Sequence, residues 1–241
     1  MNITSIKTFF DNINTTLEPR VVNELKKIYT AFTLATFAAG IGGYLHVISN
    51  SYVGYGALSI FGAIGTLVWL VWISPFPPRP SYRSDNEKYR LILLGLFAFF
   101  TGCNLGPLLD KVISINSLQL IIQAFIYTSF VFACFTLSVL VNPKSQLYLY
   151  LNGTLCTLVC FGLSFIITNS LLGWQLLRFN IYINLAMVCV FIIYDTHKMI
   201  DRIRLCKNND YILESITIFL HFIDLFTYIL KILLNKKKNK K

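Results

Sequence analysis

Apolar residues in this chain come in long unbroken runs. They do not alternate as in a half-buried strand, nor form the single stripe of a soluble amphipathic helix. The runs are Tyr29–Ile48, Tyr52–Ile73, Tyr89–Leu109, Leu118–Val141, Leu147–Ile167, Trp174–His197 and Tyr211–Leu234. Each is of the order of 20 residues, the length that an α-helix needs to cross a bilayer. The pattern predicts an all-α membrane protein, a bundle of seven transmembrane helices. The seventh run either crosses or is re-entrant. It is placed in the bundle core because it carries His221, Asp224 and Lys231.

Polar punctuation separates the runs. Pro75, Pro77, Pro78 and Pro80 cannot continue a helix, so the chain leaves the membrane there. Asn142-Pro143 closes the fourth run. Small residues four apart, Ala38/Gly42, Ala39/Gly43 and Gly102/Gly106, predict close helix–helix approach. The organisation is a cytosolic N-terminal arm over 1–28, a helical bundle over 29–235 and a lysine-rich tail over 236–241. No internal repeat argues for an inverted-repeat transporter.

Composition sharpens the solvent assignment. Of 241 residues 55% are hydrophobic and 13% charged, with mean hydropathy +0.62. Soluble domains carry about 25% charged residues, so lipid is the solvent here. The net charge of +10 does not point to nucleic acid, because Lys and Arg collect in loops and tails. Lys7, Arg20, Lys26 and Lys27 lie in the arm, Arg79, Arg83, Lys88 and Arg90 in the charged loop leading into run three, Lys144 between four and five, and Lys198, Arg202, Arg204 and Lys207 between six and seven. The alternate loops hold Lys111, with Arg178 just inside the sixth run. This asymmetry predicts a cytosolic N-terminus. Seven full crossings then place the lysine tail on the other side, in conflict with the same rule.

Residues 1–27 lack the apolar core of a cleavable signal peptide, so the first run is expected to act as the targeting signal. The sequons at Asn2 and Asn14 stay unglycosylated in a cytosolic arm. Of Cys103, Cys134, Cys156, Cys160, Cys189 and Cys206, five fall in apolar runs and act as small hydrophobes. Their spacings give neither a disulfide framework nor a zinc site.

Candidate chemistry centres on Asp195, in Phe191-Ile192-Ile193-Tyr194-Asp195-Thr196-His197. An ionisable group at membrane depth is a functional candidate by default. The bland alternative is a helix-end carboxylate reaching water near Lys198 and Arg202. As a gate, Asp195 would respond to pH and take calcium transiently. His221 and Asp224, three apart, share one helical face and are its candidate partners; the alternative is a self-satisfied pair. Histidine titrates near neutral pH, so an Asp195–His221 contact would be proton-sensitive. Glu87 opens the third run, either as a solvated helix start or as part of a cytosolic vestibule. Asp110 and Arg178 lie towards the other face, with Arg178 snorkelling to headgroups, and His46 is read as a satisfied polar residue. A cytosolic lysine tail would favour anionic lipid.

These residues carry a resemblance. Leu25-Lys26-Lys27-Ile28-Tyr29, the stretch Gly95–Pro107, Phe132–Ser138, Tyr194-Asp195-Thr196 and Asp210-Tyr211-Ile212 together resemble the Bax inhibitor-1 family of transmembrane proteins over nearly the whole chain. The resemblance implies an endoplasmic-reticulum protein that suppresses cell death and lowers luminal calcium through a pH-sensitive leak. It implies a seven-helix bundle with the last helix central, in which the aspartate matching Asp195 pairs with a second aspartate on that helix. Here the second position is His221. Two carboxylates sharing a proton titrate together, whereas an Asp–His pair is an ion pair. The lysine tail has Asn239 third from its end, which departs from a dilysine retrieval signal.

Two function classes follow. One is a calcium leak channel, with calcium as the permeant ion. The other is a non-conducting regulator of apoptosis that binds Bcl-2-type proteins in the membrane. A third, an intramembrane aspartyl protease suggested by Tyr194-Asp195, lacks the second catalytic aspartate in a Gly-x-Gly-Asp setting. The reading is therefore a non-enzyme without cofactor, with membrane lipid as its solvent partner.

Overall fold

The computed structural model describes residues 18–49, 55–73, 83–115, 118–141, 177–205 and 210–238. The fifth apolar run, the proline-rich segment, Cys156, Cys160, Cys206, the Arg178 side chain and residues 239–241 lie outside them. Among the described residues there are six helices and no strand. They are α1 (Pro19–Ser49), α2 (Tyr55–Trp72), α3 (Arg83–Ile113), α4 (Leu118–Val141), α5 (Leu177–Leu205) and α6 (Tyr211–Lys238). All but α2 are long and apolar enough to cross a membrane. The 18 residues of α2 reach about 27 Å at 1.5 Å per residue.

The surface is that of a lipid-facing protein. Phe37, Phe61, Phe130 and Trp72 are between 70% and 87% exposed. In water such a density of exposed aromatics would mark a large interaction surface; in hydrocarbon it is solvated. The hydroxyls of Thr36, Thr66, Thr101, Thr128 and Thr196 each donate to the carbonyl four residues back on their own helix. That satisfies them where water cannot.

Several helices outrun their apolar cores. α1 begins ten residues before the first apolar run, with Pro19 in the position where a missing N–H costs nothing. The Glu18 carbonyl accepts from Val22. Val21, Leu25 and Ile28 recur at helical spacing through this charged stretch and are buried. α5 likewise continues to Leu205, because Met199, Ile200 and Ile203 form a buried stripe beyond His197 while Lys198 is exposed. Asp195 therefore lies well inside a helix.

The chain divides into two compact units. The first is Glu24–Ile121 with Asp210–Phe219, and holds α1 from Glu24, α2, α3 and the opening turns of α6. Its core includes Ala35, Ala39, Leu94, Ala98, Ile212 and Phe219, with Phe97 edge-on to Phe219 at 6.1 Å between ring centroids. Here α1 and α3 meet backbone to backbone. A Cβ on Gly42 would collide with the Phe99 carbonyl, and one on Gly102 with the backbone of Ala39. The Cys103 thiol donates to the Gly42 carbonyl at 3.4 Å. The predicted small-residue spacings thus form one seam between these two helices. Across α2 and α3, Ser59 Oγ donates to Asn104 Oδ1 at 2.5 Å.

The second unit is Met1–Asn23, Ile122–Asn209 and Leu220–Lys241, and holds most of α4, α5 and the rest of α6. Ile192, Met199, Ile200, Ile203, Leu225 and Leu230 are among its fully buried apolar side chains. Phe222 on α6 sits edge-on to both Phe125 and Phe132 of α4, at 5.9 and 5.6 Å. Such edge contacts add about 0.5–1.5 kcal/mol each beyond area burial, and they fix α6 against α4 immediately beside His221.

Candidate functional site

Asp195 projects from α5 and His221 from α6. Their side chains meet, with His221 Nε2 2.6 Å from Asp195 Oδ2. When Asp195 is ionised its carboxylate can only accept, and His221 Nε2 is then the donor. The two side chains are 22% and 17% exposed, which places the pair between bulk water and a dry core. Phe191, one turn before Asp195, stacks on the imidazole with centroids 6.0 Å apart and 12° between planes. Phe191 and Asp195 therefore grip the same ring from one face of α5, while Phe222 holds its backbone neighbour against α4. Thr196 and Ile192 are buried, so the adjoining turn of α5 is held in the core.

The other sequence candidates fall elsewhere. Lys198 lies over the ring of Tyr194 at 5.5 Å. Asp224 is exposed on α6, one turn from His221. Lys231 lies over the Tyr228 ring at 5.3 Å. Glu87 is exposed and accepts a hydrogen bond from the Tyr211 hydroxyl at 2.6 Å. Among the described residues no three His, Cys, Asp or Glu side chains gather as a metal site.

Sequence reasoning missed a second polar constellation, in the first unit. Arg90 is buried, and its Nη1 and Nη2 donate to Asp210 Oδ1 and Oδ2 at 2.9 and 2.5 Å. This is the bidentate fork that guanidinium geometry favours. Asp210 also caps α6, accepting from the Leu213 N–H at 3.5 Å. Ser215 Oγ reaches the Ile28 carbonyl of α1 at 3.0 Å. Glu214 in the same opening turns is buried. The start of α6 is thus tied to the starts of α1 and α3. The available signal was the position of Arg90 one residue inside an apolar run, opposite an Asp-Tyr that opens another.

Five helices fit to cross a bilayer, lipid-facing aromatics and an ionisable pair between two of those helices define a multi-pass α-helical membrane protein. The sequence profile of the family described as "Inhibitor of apoptosis-promoting Bax1" matches residues 21–239. The chain is 35% identical over 245 residues to Bax inhibitor 1 of Bos taurus, covering 100% of this chain and 99% of that protein. It is 34% identical over 245 residues to Bax inhibitor 1 of Homo sapiens, covering 100% and 98%. Bax inhibitor 1 of Arabidopsis thaliana is 31% identical over 230 residues, covering 93% and 85%. The chain belongs to the Bax inhibitor-1 family.

Proposed function

We propose that this protein is an endoplasmic-reticulum membrane suppressor of cell death that acts as a pH-sensitive calcium leak and lowers luminal calcium. Family membership supports the cell-death role. The observation that carries the gate is the 2.6 Å contact between Asp195 and His221. A proton-dependent bond between two helices is a bistable element that pH can bias. With both groups charged the pair is neutral and holds α5 to α6. Losing either charge weakens the bond. Asp195, once released, is a carboxylate that can take calcium transiently along its path.

The same reading completes the topology with seven spans, the seventh either crossing or re-entrant in the bundle core. It places the N-terminus in the cytosol with arm, bundle and tail at 1–28, 29–235 and 236–241, and treats the protein as a non-enzyme. Glu87 would stand at the cytosolic vestibule, and Asp224 would serve as the reserve acid. The test is luminal calcium in cells expressing wild type or Asp195→Ala. Altered resting calcium and leak rate are expected; equal values would sink the proposal.

One observation favours a second reading. The His221 imidazole occupies the Asp195 carboxylate at 2.6 Å, so a divalent cation would have to displace it, and when the imidazole is charged the pair offers no net negative charge. On this reading the protein is a non-conducting regulator that binds Bcl-2-type proteins. Deleting Lys236–Lys241 separates the two: loss of cell protection with unchanged calcium supports the regulator.

A further inference from the structure

The seam between α1 and α3 ends in a second histidine–carboxylate pair that plays no part in the proposed gate. His46 Nε2 lies 3.6 Å from Asp110 Oδ2, and the side chains are 11% and 28% exposed. The imidazole lies directly on the α3 backbone, because a Cβ at Gly106 would collide with its ring. Gly102 is occupied in the same way by Ala39 one half of the seam earlier. The Gly102/Gly106 motif therefore does two jobs: Gly102 admits a backbone and Gly106 admits an imidazole. Once seated on Gly106, that ring meets the next turn of α3 at Asp110.

Within this unit α1 and α3 run parallel. Ile28 and Arg90 are joined to the start of α6, and Asp110 lies twenty residues beyond Arg90. That is about 30 Å along the helix, the thickness of a bilayer's hydrocarbon core. The His46–Asp110 pair thus stands at the opposite membrane face from the Arg90–Asp210 fork. Asp110 is the carboxylate that faces His46 from α3. Lys111 stands beside it on the exposed side, and α2 offers no charged or titratable side chain from Gly56 to Trp72.

We propose that His46 and Asp110 form a proton-operated latch that sets how closely the C-terminal ends of α1 and α3 approach, and that it reads the compartment opposite the helix N-termini. A protonated imidazole attracts the carboxylate across the 3.6 Å gap and closes it to a charge-assisted bond. A neutral imidazole leaves a half-buried carboxylate with a weaker partner, and the helix ends part. Histidine side chains change charge near neutral pH. Acid on that face tightens the seam and alkali loosens it, in a direction set by one ion pair.

Spin labels at Ile48→Cys and Ser114→Cys, both exposed and just beyond the pair, report the separation directly. They are placed in a chain whose own cysteines are replaced by serine, reconstituted in lipid nanodiscs, and the inter-label distance is measured at about pH 5.5 and about pH 8. A shorter and narrower distribution in acid is expected, and His46→Gln and Asp110→Asn should each abolish the shift. Identical distributions at the two pH values, or a shift that survives in both variants, overturn the latch. If a variant fails to fold, the labelled parent still decides through the presence or absence of its shift. The readout involves no calcium flux, so it stands or falls apart from the leak.

Discussion

Replacing Asp210 by Asn tests whether charge at the start of α6 is structural. Asn is as good a helix cap as Asp, so the cap on Leu213 survives and only the charge is removed. The Arg90 side chain is 3% exposed and that of Asp210 14%, and both fork bonds are short. Breaking a buried ion pair at one partner leaves the other charge uncompensated, which costs about 3–5 kcal/mol. With Asp210 partly wetted, about 3 kcal/mol is the better figure. For a chain of this length each kcal/mol moves the unfolding midpoint by roughly 2–4 °C, giving a loss on the order of 10 °C. Removing both charges, in Arg90→Met with Asp210→Asn, leaves no orphan. The double variant should lose less than the sum of the singles, with a coupling of about 2 kcal/mol or more. By contrast Glu87→Gln touches an exposed bond and should cost under about 1 kcal/mol. The assay is thermal unfolding in detergent micelles followed by circular dichroism. An Asp210→Asn shift no larger than that of Glu87→Gln, or strict additivity in the double variant, would refute the reasoning.

Other outcomes follow from the same geometry. Gly102→Leu must displace the Ala39 backbone; in detergent it should unfold at a lower temperature than Gly65→Leu, whose added Cβ would meet open space. Phe222→Ala removes two edge-on ring contacts and should cost about 3 kcal/mol, read in the same melting assay. If His221 carries proton sensitivity at the gate, His221→Gln should show a smaller change in calcium leak between about pH 5.5 and about pH 8 than wild type. An unchanged pH profile would remove His221 from the mechanism.

The contrast between what hydropathy reveals and what it hides is clear at the helix ends. Runs of apolar residues located α1 to α6 without difficulty, because lipid demands them. The charged flanks were harder. Val21, Leu25 and Ile28 lie among Arg, Glu and Lys, and Met199, Ile200 and Ile203 among Lys, Asp and Arg. In both places a buried stripe extends the helix where a hydropathy window sees a loop. Asp195 and His221 were legible for the opposite reason: a charge amid apolar residues stands out, and the structure brings the two together. Arg90 and Asp210 were hidden because charge beside a loop looks solvated. Only long-range packing, across 120 positions of sequence, reveals the fork. Asp224 shared a helical face with His221 in principle, yet the side chain that reaches Asp195 is the imidazole.

Asp195 is the residue on which the proposed gate turns. Purified protein in liposomes loaded with a calcium-sensitive dye, with calcium outside, measures flux directly. Wild type should admit calcium at a rate that depends on pH, and Asp195→Asn, which keeps the shape of the side chain and removes its charge, should change that rate and its pH dependence. Equal flux from wild type and Asp195→Asn at every pH would contradict the claim that the Asp195–His221 pair is the gate.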